Sequence, residues 1–420
     1  MIKPGEIDTT YGSNGYAIFP GVQPNESFHV GAAVAVDPDG SLSACGGSPS
    51  TSPTRYFVRL NADGSWNEEI GHKKIEISPS LPEGSQLFGL ITRSNNVEPS
   101  YVAQSQTWSL TEDNKLLYSA AVGHFRSNFD PQPDFGDLGI KALLPDHEKT
   151  ATDLKLMEAA VVKSQWVNGE IRSLYMSQRD RVDDEPTSWI ALLGPTTGLP
   201  VNGLGEDLSQ SQLALPRLRY DPDLPAYSMI ISDSHFFDDG SFLVAASINW
   251  KQIIVKFDKR GVLDRTFGVA GQQDITGFRN SIKLHVDVSK NRILVGAGTP
   301  RDLGKTVILL RGFDLNGMPD PSFGTNGAVT LFFDDESIAV VGIDTDAAGN
   351  IMIASNHRVG NRSTGVVTRL LPDGAIDHGF GMSGHYKNSE ILIYSQLHGN
   401  DELRLVVFYN DRHAGMKLFI

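Results

Sequence analysis

Hydrophobic and polar residues alternate along most of this chain, in short runs broken by polar turns. One such unit reads "AVAVDPDGSLSACGG". Six more share its form: "WSLTEDNKLLYSAAV", "VVKSQWVNGEIRSLYM", "SHFFDDGSFLVAAS", "LHVDVSKNRILVGAG", "VGIDTDAAGNIMIAS" and "IYSQLHGNDELRLVV". Period-two alternation puts every second side chain on one face of a strand. Asp-Gly or Asn-Gly between two such runs accepts the positive φ of a tight hairpin at low cost. We read the seven units as equivalent hairpin turns between two strands of a small sheet. A third strand with its own turn follows in "YFVRLNADGSW", "SWIALLGPTTGLP", "IIVKFDKRGVLD", "VILLRGFDLNGMPD" and "VVTRLLPDGAID". The stretch "TDLKLMEAAVVKSQW" places Leu154, Met157 and Val161 at helical spacing. Its second half nevertheless aligns in register with the other hairpins, which predicts a strand preceded by at most one helical turn.

An aromatic-glycine pair punctuates these units. Strong copies are Tyr11-Gly12, Phe267-Gly268, Phe323-Gly324 and Phe380-Gly381; a weaker one is Phe135-Gly136; decayed ones are Ile70-Gly71 and Leu204-Gly205. Successive glycines are 59, 65, 69, 63, 56 and 57 residues apart. A unit of about 60 residues with four strands has the length and content of a β-propeller blade. Such a unit cannot bury both faces alone and must stack on its neighbours. The expected fold is therefore all-β: one seven-bladed β-propeller over residues 1–420, with about four strands per blade and blade starts near 12, 71, 136, 205, 268, 324 and 381. The run "MKLFI" at the end of the chain is expected to be a strand that closes the ring. The aromatic ring should fill space between sheets, the glycine should allow a sharp turn, and the Asp and Ser/Thr before them should bond backbone N–H groups of the same turn.

These motifs resemble the delta-60 repeat family of bacterial β-propeller-like proteins. Leu263, Asp264, Thr266, Phe267, Gly268 and Gly271 match its core, as do Asp320, Ser322, Phe323, Gly324 and Gly327. Asp8, Thr10, Tyr11, Gly12 and Gly15 match with Tyr in place of Phe, and "DPDGSL" and "LLPDGAID" match its two turns. The likeness covers effectively the whole chain, with the second and third repeats eroded. It implies a propeller and carries no common catalytic residues.

Composition narrows the functional classes. The formal net charge of -14 disfavours nucleic-acid and anionic-membrane surfaces, which need concentrated Lys and Arg. Cys45 is the sole cysteine, so no intrachain disulfide can form; in strand-like "SLSACGG" a buried apolar role is expected. The N-terminus has no apolar signal-peptide core, and no apolar run approaches the ~20 residues of a membrane span. The expectation is a monomer, cytoplasmic or exported without a classical signal peptide.

No motif commits the chain to chemistry. "GTPRDLGKT" has five residues between its glycines where a phosphate loop needs four, and it sits between strands. "DTDAAGN" lacks the third acid of a calcium loop and has Ser355 where the loop would want Glu. HExxH, G-x-S-x-G and CxxC are missing, so no catalytic residue, metal or cofactor is assigned. The functional clue is loop length. From anchor glycine to hairpin turn the seven counts are 28, 43, 33, 35, 23, 26 and 18 residues, with the excess in blades 2 to 4. Insertions in stacked repeats emerge at equivalent places, often on a binding face. These stretches offer Phe88, Tyr101, Arg219, Tyr220 and Tyr227, types favoured at interface hot spots. The resulting expectation is a non-catalytic recognition or scaffold propeller with a protein or carbohydrate partner. The alternative is a hydrolase- or lyase-like enzyme with its site at the channel mouth, where residues from several blades can converge.

Overall fold

The structure is a computed structural model that describes residues 3–420 except 48–54, 76–85, 93–99, 111–115, 137–138, 144–157, 179–186, 219–227, 276, 279–281, 301–305 and 399–401. The described residues form seven antiparallel four-stranded sheets arranged as a seven-bladed β-propeller. The chain opens with β1 (Tyr16–Ile18). The first sheet follows as β2 (His29–Val36), β3 (Leu42–Gly47), β4 (Tyr56–Leu60) and β5 (Lys73–Lys74), and the second as β6 (Gln86–Thr92), β7 (Ser100–Leu110), β8 (Leu116–Arg126) and β9 (Ile140–Leu143). The third holds β10 (Glu158–Val167), β11 (Glu170–Gln178), β12 (Thr187–Leu193) and β13 (Gln212–Ala214); the fourth β14 (Ile230–Phe236), β15 (Phe242–Ile248), β16 (Lys251–Phe257) and β17 (Gln272–Asp274). The fifth holds β18 (Lys283–Asp287), β19 (Arg292–Pro300), β20 (Thr306–Phe313) and β21 (Ala328–Phe332); the sixth β22 (Ser337–Thr345), β23 (Ile351–Val359), β24 (Arg362–Leu370) and β25 (His385–Asn388). The last is β26 (Ile391–His398), β27 (Glu402–Tyr409) and β28 (Arg412–Phe419), completed by β1.

The ring closes through its termini. Tyr16 of β1 stands opposite Met416 of β28, and Ile18 opposite Ala414. Gly5 N–H donates to the Phe419 carbonyl at 2.7 Å and Asp8 N–H to that of Lys417 at 2.9 Å. Met416 and Leu418 are fully buried, so the terminal run is core as well as edge. The N-terminal strand thus completes a sheet whose other three strands come from the C-terminus, which removes an edge open to foreign pairing.

First strands of successive sheets touch one another around a complete circle, with β26 meeting β2, so these strands line the central channel. Up-and-down order then gives the disc two faces. Turns between first and second and between third and fourth strands emerge on one, the anchor face. Hairpins between second and third strands, and connections between sheets, emerge on the other, the hairpin face.

The aromatic-glycine anchors do what their chemistry predicts. Tyr11, Phe135, Leu204, Phe267, Phe323 and Phe380 are buried between sheets. Anchor glycines have positive φ, from 53° at Gly268 to 80° at Gly205. At Gly324 an added Cβ would overlap the Ala328 carbonyl oxygen. Six of these glycines donate N–H to a carbonyl in the next sheet: Gly12 to Asp63, Gly136 to Thr197, Gly205 to Arg260, Gly268 to Asn316, Gly324 to Asp373 and Gly381 to Pro4, all at 2.7 to 2.9 Å. The preceding Asp caps the turn, as where Asp264 Oδ1 accepts from Thr266 N–H at 3.1 Å and from its hydroxyl at 2.5 Å. Each anchor precedes the outermost strand of a sheet, so repeat and sheet are out of phase by one strand.

Several other expectations meet the structure directly. Cys45 is buried in β3. The stretch with helical spacing becomes β10 from Glu158 onward, its earlier residues lying outside the described ones. "GTPRDLGKT" spans the β19–β20 hairpin, and "DTDAAGN" the turn from β22 to β23. One hairpin is corrected. "WSLTEDNKLLYSAAV" joins β7 to β8, the second and third strands of its sheet. A polar turn between apolar runs looks the same at either place. The apparent excess in blade 2 is therefore largely strand: β7 and β8 run eleven residues each.

Candidate functional site

Of the five candidate contact residues, two lie within described strands, Tyr101 and Phe88. Tyr101 lies near the start of β7, wholly buried. Its hydroxyl donates to Asp37 Oδ1 at 2.8 Å and receives a hydrogen bond from Arg59. Placed in a loop by the misassigned hairpin, it is instead an interior tie between the first two sheets. Phe88 lies in β6, a first strand, rather than in a loop. Arg219, Tyr220 and Tyr227 lie outside the described residues, in the connection from β13 to β14. That connection belongs to the hairpin face, and Arg217 Nε donates to Ser228 Oγ at 3.3 Å across its base.

The same face carries an aromatic residue that the loop argument missed. Ile248 pairs with Lys251, so Asn249 and Trp250 alone turn the chain from β15 to β16. Their φ values are 43° and 67°. Two positive φ values make the turn type that follows strand twist, and its second position ordinarily takes glycine. Trp there carries backbone strain on the order of 1–2 kcal/mol, and its side chain packs on little, since the residue is 91% exposed. Strained, bulky and solvated together is a combination that stability alone does not select. The legible signal was the dipeptide "NW" between two apolar runs, where "NG" would be the stable choice.

The channel wall is the second feature. All six register shifts in the described strand pairings lie between a first and a second strand, in every sheet but the fifth. A bulge there re-aims the following side chain. Lys163 pairs with Leu174, Asp233 with Ala245, Lys283 with Gly296 and Gly342 with Ala354. Each partner stands three places after the residue that opens its strand's apolar run (Ile171, Phe242, Ile293 and Ile351), so the four are equivalent positions. One tier of the wall thus reads Lys, Asp, Lys, Gly across sheets three to six. The next tier reads Gln165, His235, His285 and Asp344 by the same pairing.

These groups are interlocked. Lys163 Nζ donates to the Ser234 carbonyl at 2.6 Å. Asp233 accepts from Ser234 N–H at 2.8 Å and, across the blade boundary, from Leu284 N–H at 2.9 Å. His285 Nε2 lies 2.9 Å from Thr345 Oγ1, whose hydroxyl donates to Asp287 Oδ2 at 3.1 Å; its Nδ1 is 3.6 Å from Asp344. Burial, reinforced by Lys163 and His285, pulls the His235 imidazolium down to about 4, so this ring is neutral at neutral pH. Burial also lowers the proton affinity of Lys163, with Lys283 adding to the effect and Asp233 opposing it. Among the described residues no group of three His, Cys, Asp or Glu is placed to hold a metal ion.

Two other arrangements are weaker. Ser355 Oγ lies 2.9 Å from His357 Nε2, and His357 Nδ1 lies 2.7 Å from Asp335 Oδ2, the spacing of a nucleophile triad. Ser355 is completely buried and His357 nearly so, with the Phe333 ring edge-on 4.5 Å from the imidazole. A substrate carbonyl has no room at Oγ, and the chain of bonds ties the exit of the fifth sheet to β23. An open pocket of about 570 Å³ on the anchor face is lined by Asp239, Ser241, Lys256, Asp258, Arg260 and Asp264 among others. Its carboxylates are already engaged: Asp258 by Arg260, Asp264 by Lys256, Asp239 by Ser241.

No family model and no curated protein match the chain. An α-L-arabinofuranosidase from Fusarium graminearum, solved with an iminosugar inhibitor, is similar over 97% of both chains, at 12% identity and a TM-score of 0.44. A polysaccharide lyase is similar over 86% of this chain and 93% of its own, at 12% identity and 0.37. Extracellular domains 1–2 of a Drosophila semaphorin are similar over 94% and 86%, at 12% and 0.32. Among the described residues no helix is long and apolar enough to cross a membrane.

Proposed function

We propose that this chain is a recognition propeller that binds a protein or carbohydrate partner without covalent chemistry, through its hairpin face at the third and fourth blades. Trp250 carries the reading: a strained, 91% exposed indole on a two-residue turn. The connection holding Arg219, Tyr220 and Tyr227 leaves the third sheet on that face. Trp, Tyr and Arg combine large contact area with few degrees of freedom to lose, and an indole face suits both a sugar ring and an apolar side chain. The test is a glycan array and a partner screen, followed by titration of each hit against Trp250→Ala. A hit whose affinity falls at least tenfold in Trp250→Ala, with an unchanged melting curve, supports the reading. Full affinity in that variant overturns it.

The second reading is a hydrolase- or lyase-like enzyme working at the channel mouth. The tier of His235, His285 and Asp344 favours it, because imidazoles beside a carboxylate are a usual means of proton transfer. Turnover of polysaccharide substrates that disappears in His285→Gln, with binding retained, would favour this reading over the first.

A further inference from the structure

We propose that the central channel holds an anion-binding site centred on Lys283, which takes a carboxylate-bearing small molecule. The site is independent of the Trp250 surface. Its basis is the tier of equivalent channel positions, Lys163, Asp233, Lys283 and Gly342. The first two are spent on the blade that follows them. Lys163 donates a hydrogen bond to the Ser234 carbonyl, and Asp233 accepts one from Leu284 N–H. By the same geometry Lys283 would reach the sixth blade, but among the described residues its ammonium makes no hydrogen bond and no ion pair. Its counterpart in that blade is Gly342, which brings no side chain to the position.

Charge points the same way. Within this tier Lys163 and Lys283 outweigh Asp233 by one positive charge, on a chain whose formal net charge is -14. Both Asp233 oxygens already accept backbone N–H groups, so this carboxylate makes no direct bond to Lys283. Further along the wall Asp344 accepts from Thr345 N–H, and Asp287 from Thr345 Oγ1, Ser289 Oγ and Lys290 N–H. An uncommitted ammonium on a half-buried channel wall attracts an anion more strongly than one on open surface, because the local dielectric is lower. Asp344 beyond it limits the guest to one that presents its negative charge at the Lys283 tier only. That suits a carboxylate attached to a neutral, hydroxylated body better than a polyphosphate.

The probes are sodium glucuronate, sodium citrate and neutral glucose, titrated at constant ionic strength by calorimetry into the full chain. The protein is also dimethylated with ¹³C on its lysines, so that the Lys283 signal can be followed by NMR and assigned with Lys283→Arg. Saturable glucuronate binding is expected, with a Lys283 signal that moves along the same isotherm, at least tenfold weaker in Lys283→Met and unchanged in Lys74→Met. Glucose should not bind. If Lys283→Met does not fold, the NMR isotherm of the native chain decides by itself. Glucuronate and citrate both failing to bind, binding that survives Lys283→Met, or a Lys283 signal that stays put while the protein saturates would each overturn the proposal.

Discussion

The junction between the fifth and sixth sheets and that between the first and second do the same mechanical job with different chemistry. At the former, Phe323 is buried and Gly324 N–H reaches the Asp373 carbonyl at 2.7 Å. Arg292 covers the Phe323 ring at 5.6 Å and bonds the Pro372 carbonyl and Asp320. All of this is repeat vocabulary. At the latter the anchor has decayed to Ile70-Gly71, and Gly71 N–H turns back to Asn67 of its own loop at 3.0 Å. A buried polar knot replaces it. Asp37 accepts from Tyr101 and from Ser43 at 2.6 Å, Arg59 Nε sits 3.3 Å from Asp37, and Arg59 Nη2 donates to the Ser127 carbonyl at 2.9 Å. Phe57 stacks on Phe129 at 4.7 Å beside it. Where the anchor erodes, Tyr101 ties the Arg59–Asp37 pair, which the sixth sheet also carries as Arg369–Asp346, to the neighbouring sheet.

The largest expected effects set the two junctions side by side. Phe323→Ala removes a buried ring and should cost about 3–5 kcal/mol in denaturant unfolding. Arg59→Met strands the Asp37 carboxylate and should cost about as much, roughly 3–5 kcal/mol. The two separate by pH. Burial outweighs Arg59 and its hydrogen bonds and raises the Asp37 pKa, so acid neutralises this carboxyl readily. The Arg59→Met penalty should shrink at acid pH while that of Phe323→Ala does not. Equal penalties at both pH values would mean that the knot's charge is immaterial.

Acid should also weaken the blades that carry buried imidazoles. Burial lowers His235 and His413 to about 4, and lowers His357 and His385 as well. A depressed imidazole pKa means that the unfolded chain binds the proton first. The associated stability is whole above pH about 6.5 and is lost as pH falls towards about 4, approaching roughly 3 kcal/mol for His235 alone. Asp37 has the opposite sign, since its raised pKa favours folding at low pH. Replacing His235 by Asn should flatten the loss between those pH values; an unaltered profile would show that this ring is solvated.

The glycines give a smaller, sharper contrast. Both Gly71 and Gly324 have φ near 57°, at 58° and 57°. Among the described residues a Cβ on Gly71 would meet only the Glu68 carbonyl, at 3.8 Å, whereas on Gly324 it would strike the Ala328 backbone. Gly71→Ala should cost about 1–2 kcal/mol, the left-handed penalty alone, and Gly324→Ala clearly more. The tyrosine pair holds the smallest single effect. Tyr101→Phe unties Asp37 and Arg59 and should cost about 1–3 kcal/mol. The buried Tyr11 hydroxyl has no hydrogen-bond partner among the described residues, so Tyr11→Phe should stay within about 0.5 kcal/mol of wild type. Equal costs would erase the distinction between repeat and knot.

Much of this was legible in the chain because it is local. Alternation of period two, Asp-Gly and Asn-Gly turns and the anchor glycines are fixed by backbone sterics within a few residues, and their recurrence gave seven units of four strands. Even the eroded Leu204-Gly205 kept its role, since a buried apolar side chain and a free N–H are all that the position needs. The channel tiers were hidden for a definite reason. Lys163, Asp233 and Lys283 lie 8, 9 and 10 residues before the apolar residue that opens the next strand, because turn length and bulge vary from blade to blade. Counting along the chain cannot align them, and only strand pairing does. Tyr101 was misplaced for the related reason that a second hairpin imitates a first. Sequence alone therefore determined which segments turn, which extend and how often the pattern returns, all of them short-range consequences of φ, ψ and hydrophobic burial. Tertiary structure alone decided which residues face the axis, which carboxylate lies beside which guanidinium, and that Trp250 stands in solvent, because those depend on how separate sheets meet.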